Sequence, residues 1–272
     1  MTQDASIIEL AQWLKTPAGR YLLAWEQQRL DAAVTDVFGF HALQLGCPEL
    51  SGLETNRMPH RWNAVDHADT LPLVDGPPDQ AGSSAIVLRC DFDALPFPNA
   101  SLDLVVLPHA LELAHDPHAV LREVERVLVP EGRVAIVGFN PTSLWGLRQR
   151  CGRMRQRLAI QRDKGLFLPR AGEFIGYWRL RDWLRLLNFE IEAGRFGCYR
   201  PPLSSERWLS RFQWMERWGD RWWPVLGAVY FLVAVKRVRG MRLVGLAKSQ
   251  RSKPKAAPAV AAHHNHKEIN DC

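Results

Sequence analysis

The sequence has little of what disulfide-rich and metal-binding proteins need. Its five cysteines are scattered over 272 residues, and none of them forms a C-x-x-C pair. An odd, dispersed set of cysteines argues against a disulfide framework and against a zinc site. The histidines at 263, 264 and 266 stand in a segment that we expect to be disordered. We therefore predict no metal site and a reducing compartment.

Long hydrophobic runs are also missing. The longest apolar stretch, residues 222–235, contains proline and glycine and is shorter than the ~20 residues that cross a bilayer as a helix. The opening residues are polar and acidic, where a signal peptide has a basic start and an apolar run. We therefore expect a cytoplasmic protein. The P-loop pattern and a Ser-His-Asp signature are absent as well, which removes two large enzyme classes.

What the sequence does have is arginine and tryptophan in two concentrated segments. The formal charge is +6 and there are eleven tryptophans. Residues 143–165 carry seven basic residues against one acid, and residues 206–223 interleave four arginines with aromatic side chains. Three interpretations stay open: solvated helices that pack near an acceptor pocket, an RNA-binding surface, or an anionic membrane surface.

The hydrophobic pattern predicts strands that alternate with helices. Residues 3–37 read as two helices separated by a Thr-Pro-Ala-Gly break, and HALQL follows as a short strand. AIVLRC, SLDLVVLP and EGRVAIVGF read as buried strands, with an amphipathic helix from Asp116 before the last of them. SSERWLSRFQWMERW reads as one later helix. This alternation indicates a parallel α/β sheet.

The segment 90–139 resembles the middle of class I S-adenosylmethionine-dependent methyltransferases of the type 11 kind. The motifs in register are Asp91, Leu95-Pro96-Phe97, Leu102-Asp103-Leu104-Val105, Leu111-Glu112, Asp116-Pro117 and Arg126 to Gly132. The resemblance implies a doubly wound, mostly parallel, seven-stranded Rossmann-like sheet. It implies a methyltransferase-like domain over 38–240, preceded by a helical extension (1–37). The composition of residues 247–272, rich in Ala, Lys, Pro and His, predicts a disordered basic tail.

The resemblance also implies S-adenosyl-L-methionine as the cofactor and a set of residues to hold it. The carboxyl ends of parallel strands meet at one edge, where backbone and carboxylates can take the carboxylate, ribose and adenine of the donor. Asp66 is implied for the ribose, and Asp91 with Phe92 for the adenine. The predicted cofactor-binding residues are Gly46, Cys47, Asp66, Asp91, Phe92 and Pro108.

The stretch HALQLGCPEL departs from the family where the donor is normally cradled. Gln44 stands where aspartate is usual, and Pro48 and Leu50 stand where two glycines are usual. Proline has no N–H, and leucine is bulky where backbone approaches a ligand. Two hypotheses follow. The first is a methyltransferase with an unknown acceptor. The second is an inactive module that binds RNA or an anionic membrane.

The catalytic residue is the least determined part of the prediction. His109 follows the fourth strand, where this fold lines its substrate pocket, and its ordinary pKa suits a general base. A helix-capping or exposed histidine explains the same residue equally well. Methyl transfer needs mainly alignment of the reacting atoms, so the sequence requires no acid–base pair.

Overall fold

The computed structural model describes residues 3–66, 88–158, 166–169 and 174–237. The tail predicted to be disordered (247–272), with its three histidines, lies outside the described residues. Among the helices that are described, none is long and apolar enough to cross a membrane.

Seven strands and eight α-helices make up the described chain. The strands are β1 (His41–Leu45), β2 (His60–Val65), β3 (Leu88–Arg89), β4 (Leu102–Pro108), β5 (Leu128–Phe139), β6 (Phe189–Gly197) and β7 (Val229–Lys236). The helices are α1 (Gln3–Leu14), α2 (Pro17–Val34), α3 (Ala110–Leu113), α4 (Pro117–Val127), α5 (Leu144–Arg157), α6 (Tyr177–Leu186), α7 (Glu206–Arg211) and α8 (Trp214–Trp222), and a 3₁₀ turn covers Pro224–Leu226.

The strands form one sheet in the order β3-β2-β1-β4-β5-β7-β6, in which only β7 runs antiparallel to its neighbours. The predicted doubly wound, mostly parallel seven-stranded sheet is thus confirmed. Side chains alternate across the central strands, so Ala42 and Leu43 of β1 belong to separate apolar clusters on opposite faces. One cluster packs under α1 and α2, and the other under α4 and α6.

Local signals in the sequence account for several helix ends. The Thr16 side chain accepts a hydrogen bond from the backbone N–H of Gly19, and Pro17 occupies the first turn of α2. Asp116 caps α4 by accepting from the N–H groups of His118 and Ala119. The cap predicted at Asp116 is thus confirmed, whereas α2 begins at Pro17, inside the segment that was expected to separate the two helices.

The expectation of one helix through SSERWLSRFQWMERW was wrong, because the chain breaks it into α7 and α8. Leu209 is the buried residue of α7, and Gly219 that of α8. Ten residues apart on one straight helix, they would point about 80° away from each other. The break near Phe212 lets both residues face the protein.

Candidate functional site

The site predicted from the sequence lies at the carboxyl edge of the parallel strands. Within the sheet, β2 lies next to β1 on one side and β4 lies next to it on the other. The strand order therefore reverses at β1. In open α/β sheets this point leaves a crevice outside the strand ends. The residues that follow β1, β2, β3 and β4 are therefore brought to one edge.

The loop after β1 turns through two residues with positive φ. Gly46 has φ 78° and Cys47 has φ 45°. The N–H of Gly46 donates to the carbonyl of Ala64 on β2 at 2.8 Å, which carries the β1–β2 pairing to the edge of the sheet. Glycine adopts this backbone without the steric cost that other residues meet.

Gln44 holds the shape of this loop from inside. Its side-chain amide donates to the carbonyls of Gly46 (3.2 Å), Cys47 (3.1 Å) and Leu50 (2.7 Å). Its Oε1 accepts from the N–H of Gly52 at 2.9 Å. The side chain is buried, and its one amide group contacts four backbone groups of the loop. Gln44, which stands where the family usually has aspartate, thus organises the loop.

Leu50 points away from the crevice. It is 2% exposed and belongs to the apolar cluster that also contains Leu30 of α2 and Cys47. Phe92 belongs to the cluster on the opposite face of the sheet. Leu50 therefore fills core under α2 and does not occupy the side of the crevice where Phe92 lies.

Three of the predicted cofactor residues line one cavity. The cavity has a volume of about 190 Å³. Its lining residues are Asp66, Asp91, Phe92, Asp93, Ala114, His115, Asp116 and Val120. Gly46 approaches the same place, because a Cβ built on it would lie 3.6 Å from the Phe92 ring. The structure thus brings Gly46, Asp66, Asp91 and Phe92 together.

The electrostatics of this cavity are acidic. Asp66 is buried at the end of β2, while Asp91 is exposed after β3. Burial raises the pKa of the neighbouring Cys90 thiol to about 11, and the charges of Asp66 and Asp91 add to that rise. The cavity therefore favours ligand groups that donate hydrogen bonds.

His109 is buried and enclosed at the end of β4. It has φ 55° and is 1% exposed, so it is not a surface residue. Its Nδ1 lies 3.0 Å from Glu112 Oε2, and its Nε2 lies 2.9 Å from Glu26 Oε1 on α2. The His109 ring also packs on Phe139, with ring centroids 4.5 Å apart. Both ring nitrogens are thus occupied by carboxylates.

Protonation of this buried network is favoured. Burial lowers the pKa of His109, but the charge of Glu26 and the hydrogen bonds to Glu112 and Glu26 outweigh it and raise that pKa to about 10. Burial raises the pKa of Glu26, and His109 opposes that rise. Glu112 also accepts a short hydrogen bond from the N–H of Phe139 through Oε1. An imidazolium between two carboxylates is the charge arrangement that this geometry stabilises.

The sequence interpretation missed Glu26. The signal was present, because Glu26 stands four residues from Leu22 and four from Leu30, on the buried stripe of α2. A carboxylate on an apolar helical stripe needs a buried partner. That partner is His109, 83 residues away in the sequence.

Part of the sequence matches a family of known proteins. Residues 43–136 match the family described as "Methyltransferase domain". The chain is 29% identical to the uncharacterized protein YafS of Escherichia coli K12 over 256 residues, 92% of this chain and 90% of that protein. A shorter match, 44% identical over 63 residues, links 22% of the chain to 21% of a malonyl-[acyl-carrier protein] O-methyltransferase of Halorhodospira halophila.

Solved structures share the fold. A chain of the complex between the Haloferax volcanii Trm112 methyltransferase activator and a methyltransferase aligns with TM-score 0.52 and 18% identity, covering 78% of this chain and 88% of that one. A SAM-dependent methyltransferase from Thermotoga maritima aligns with TM-score 0.50 and 12% identity, covering 81% and 91%.

These findings confirm the resemblance: residues 43–136 match a methyltransferase domain, and the fold is shared with a solved S-adenosylmethionine-dependent methyltransferase. The cofactor of this family is S-adenosyl-L-methionine. The cavity chemistry fits part of that molecule, since ribose hydroxyls and an adenine amino group donate to carboxylates and Phe92 offers an apolar ring. At about 190 Å³ the cavity is smaller than the ~300 Å³ at which whole-ligand pockets begin, so it suits the nucleoside portion.

Proposed function

We propose that this chain transfers the methyl group of S-adenosyl-L-methionine to an acceptor, and that it holds the donor between the β1 loop and the acidic cavity. The observation that carries the proposal is the convergence of Asp66, Asp91 and Phe92 on one cavity beside Gly46. These four residues come from three different strand ends, so their meeting is a product of the fold.

Each residue has a role that its chemistry permits. The Asp66 carboxylate accepts from the ribose hydroxyls, and the Asp91 carboxylate accepts from the adenine amino group. Phe92 packs on the adenine ring. Gly46 and Cys47 present backbone to the amino-acid portion, and Pro108, the last residue of β4, borders the edge from the other side. The bound donor supplies an electrophilic sulfonium methyl.

We assign His109 a positioning role instead of the general-base role expected from its place in the sequence. A base must reach a proton of its substrate, directly or through one water. Both nitrogens of His109 already contact carboxylates, and α2 supplies one of them. Its proposed work is to fix α2 against the ends of β4 and β5, where it shapes the acceptor side of the crevice.

Donor binding is the first test. Calorimetric titration of the full chain with S-adenosylmethionine and S-adenosylhomocysteine should show saturable binding. Asp66→Asn and Asp91→Asn should each weaken that binding by about tenfold or more, because each removes a charged acceptor. Asp182→Asn, on the exposed side of α6, is the matched control. Absence of heat and of a thermal shift at millimolar ligand would overturn the proposal.

The alternative, an inactive module that binds an acidic partner, was motivated by Pro48 and Leu50. Leu50 is buried under α2, so its bulk no longer argues against donor binding. Donor binding without methyl transfer to any acceptor in a cell extract, followed with a labelled methyl group, would restore the alternative. The acceptor stays unassigned in both cases.

A further inference from the structure

An apolar surface stands out between residues 208 and 226. Five tryptophans there are more than half exposed, from 51% for Trp214 to 62% for Trp222. We call this surface the tryptophan patch. Its members are Trp208, Trp214, Trp218, Trp222, Trp223, Val225 and Leu226. Burial of large aromatic rings is strongly favourable, so leaving five of them in water indicates a partner.

The patch is organised by helix α8. Trp214, Trp218 and Trp222 follow each other at four-residue spacing, so successive rings are turned by only about 40° around the helix. Arg217 and Arg221, both exposed, fall on the adjacent strip of the same outward side. The outward side of α8 therefore carries a tryptophan stripe with a cationic border.

The opposite side of α8 is fixed to the protein. Gly219 is buried against Tyr199 so closely that a Cβ at this position would lie 2.3 Å from the tyrosine Cγ. Glu216 Oε1 accepts from the N–H of Tyr199 at 3.1 Å and lies 3.9 Å from Arg200 Nε. The direction of the tryptophan stripe is thus set by packing and is not a matter of a loose helix.

Charged residues accompany the tryptophans on α7 and α8. Both acids of α8, Glu216 and Asp220, line a cavity of about 400 Å³ between this helix and α2, and Arg217 lines it with them. The arginines of α7, Arg207 and Arg211, are exposed like those of α8. Exposed arginines therefore border the aromatic surface, although Arg217 also lines the cavity and Asp220 is exposed as well.

The second basic segment does not extend this surface. Within the part of 143–165 that is described, Arg148 lies 4.6 Å from the Phe167 ring and donates to the carbonyl of Pro202, and Arg153 lies 5.8 Å from the Phe174 ring. These contacts engage Arg148 and Arg153 within the chain, while Arg150 and Arg155 are exposed on α5. A nucleic acid would need a continuous cationic track beside the stacking rings.

We propose that the tryptophan patch docks on an anionic lipid bilayer, with the indole rings in the headgroup region and the arginines on lipid phosphates and carboxylates. Tryptophan is the side chain that favours this interface, and a tryptophan stripe bordered by arginine is the pattern of an in-plane interfacial helix. Val225 and Leu226 add aliphatic area that RNA could not use. Docking of this kind needs no bound methyl donor.

The patch lies at the carboxyl edge of the sheet. Asn140, the first residue after β5, donates to the carbonyls of Val225 (2.7 Å) and Gly227 (2.9 Å). Gly197, at the end of β6, and Val229, at the start of β7, pair at the same end of the sheet as Phe139. Docking would therefore bring the edge that holds the donor cavity toward the bilayer.

Vesicle co-sedimentation of the full chain tests the proposal, without methyl donor. The chain should bind phosphatidylcholine vesicles that contain phosphatidylserine at least about tenfold more tightly than pure phosphatidylcholine vesicles. The triple variant Trp214→Ser, Trp218→Ser, Trp222→Ser should lose about tenfold or more of this binding. Arg217→Gln with Arg221→Gln should abolish the preference for phosphatidylserine while part of the binding to both vesicles remains.

Trp178→Ser is the matched control, because Trp178 is 51% exposed on α6 and outside the patch. Unchanged thermal unfolding of each variant shows that it has folded. Three results would overturn the proposal: no binding to anionic vesicles, equal loss of binding in Trp178→Ser, or salt-sensitive binding to single-stranded RNA without vesicle binding. A dimer that dissociates only in the triple variant would assign the patch to a second copy and overturn it as well.

Discussion

Two neighbouring sites at the carboxyl edge of the sheet differ in how open they are: one is an acidic cavity and the other is a buried network of charges. Beyond β2 and β3, an acidic cavity is left open by Asp66, Asp91 and Phe92. At the end of β4, His109 is enclosed by Glu112 and by Glu26. All three cavity residues lie within the family match (43–136), whereas Glu26 lies before it.

His109 and Glu112 also lie within the match, so Glu26 is the one of these residues that the family match does not include. The residues proposed to face the donor, Asp66, Asp91 and Phe92, lie in the segment that matches the family, although Gln44, Pro48 and Leu50 in the β1 loop depart from its pattern. In the proposed function, α2 shapes the acceptor side of the crevice next to His109. Sequence patterns that identify the family therefore carry information about the donor and little about the acceptor.

We expect the largest effect on stability from removing a carboxylate of the buried His109 network. Glu26→Ala leaves protonated His109 with one carboxylate in the interior, and we expect it to lower the free energy of unfolding by about 3–5 kcal/mol. Urea denaturation measures it. Glu206→Ala removes an exposed carboxylate 3.8 Å from Arg20 and should change stability little. Equal losses of unfolding free energy in the two variants would show that the buried network stabilises the fold no more than an exposed ion pair does.

Gln44→Glu tests the loop that borders the open cavity. A glutamate cannot donate to the carbonyls of Gly46, Cys47 and Leu50, and its charge would be buried beside them. We expect a loss of about 2–4 kcal/mol in unfolding free energy and weaker donor binding. Gln28→Glu makes the same change at an exposed position of α2. A fully stable Gln44→Glu variant would contradict the role given to this amide.

The pH dependence of stability, compared between the wild type and His109→Gln, tests the charge of the buried network. The pKa of His109 is about 10 in the folded chain and near its ordinary value in the unfolded chain, so the folded chain holds the proton longer. Its contribution is complete below about pH 6.5 and is lost as the pH rises through 10. Between pH 7 and 9 the wild type should lose about 2 kcal/mol more than His109→Gln. Parallel curves for the two proteins would mean that His109 is not charged.

The smallest effect is expected at Pro48. This residue follows the two positive-φ positions and is not among the residues that line the acidic cavity. Pro48→Gly should therefore change donor affinity by less than about threefold and cost roughly 0.5–1 kcal/mol through the entropy of the unfolded chain. A tenfold gain in affinity, measured by calorimetry, would show instead that the proline obstructs the donor.

Much of the fold was readable because its signals are local. Asp116 followed by Pro117 marked the start of α4, and the apolar runs of β4 and β5 marked buried strands. The meeting of Asp66 and Asp91 was predictable because strand ends share an edge. Partners distant in sequence were not predictable. Nothing near His109 pointed to Glu26, and nothing near Gln44 showed that its amide would bind the backbone of the β1 loop. Those assignments need three-dimensional contacts.

The position of Glu26 has a practical consequence for anyone who shortens this chain. A fragment cut to the recognisable family segment would begin after α2 and would discard the carboxylate that balances an interior imidazolium. It would also uncover the apolar cluster that Leu22 and Leu30 seal. The cooperative unit is therefore larger than the recognisable segment, and expression trials should keep both opening helices.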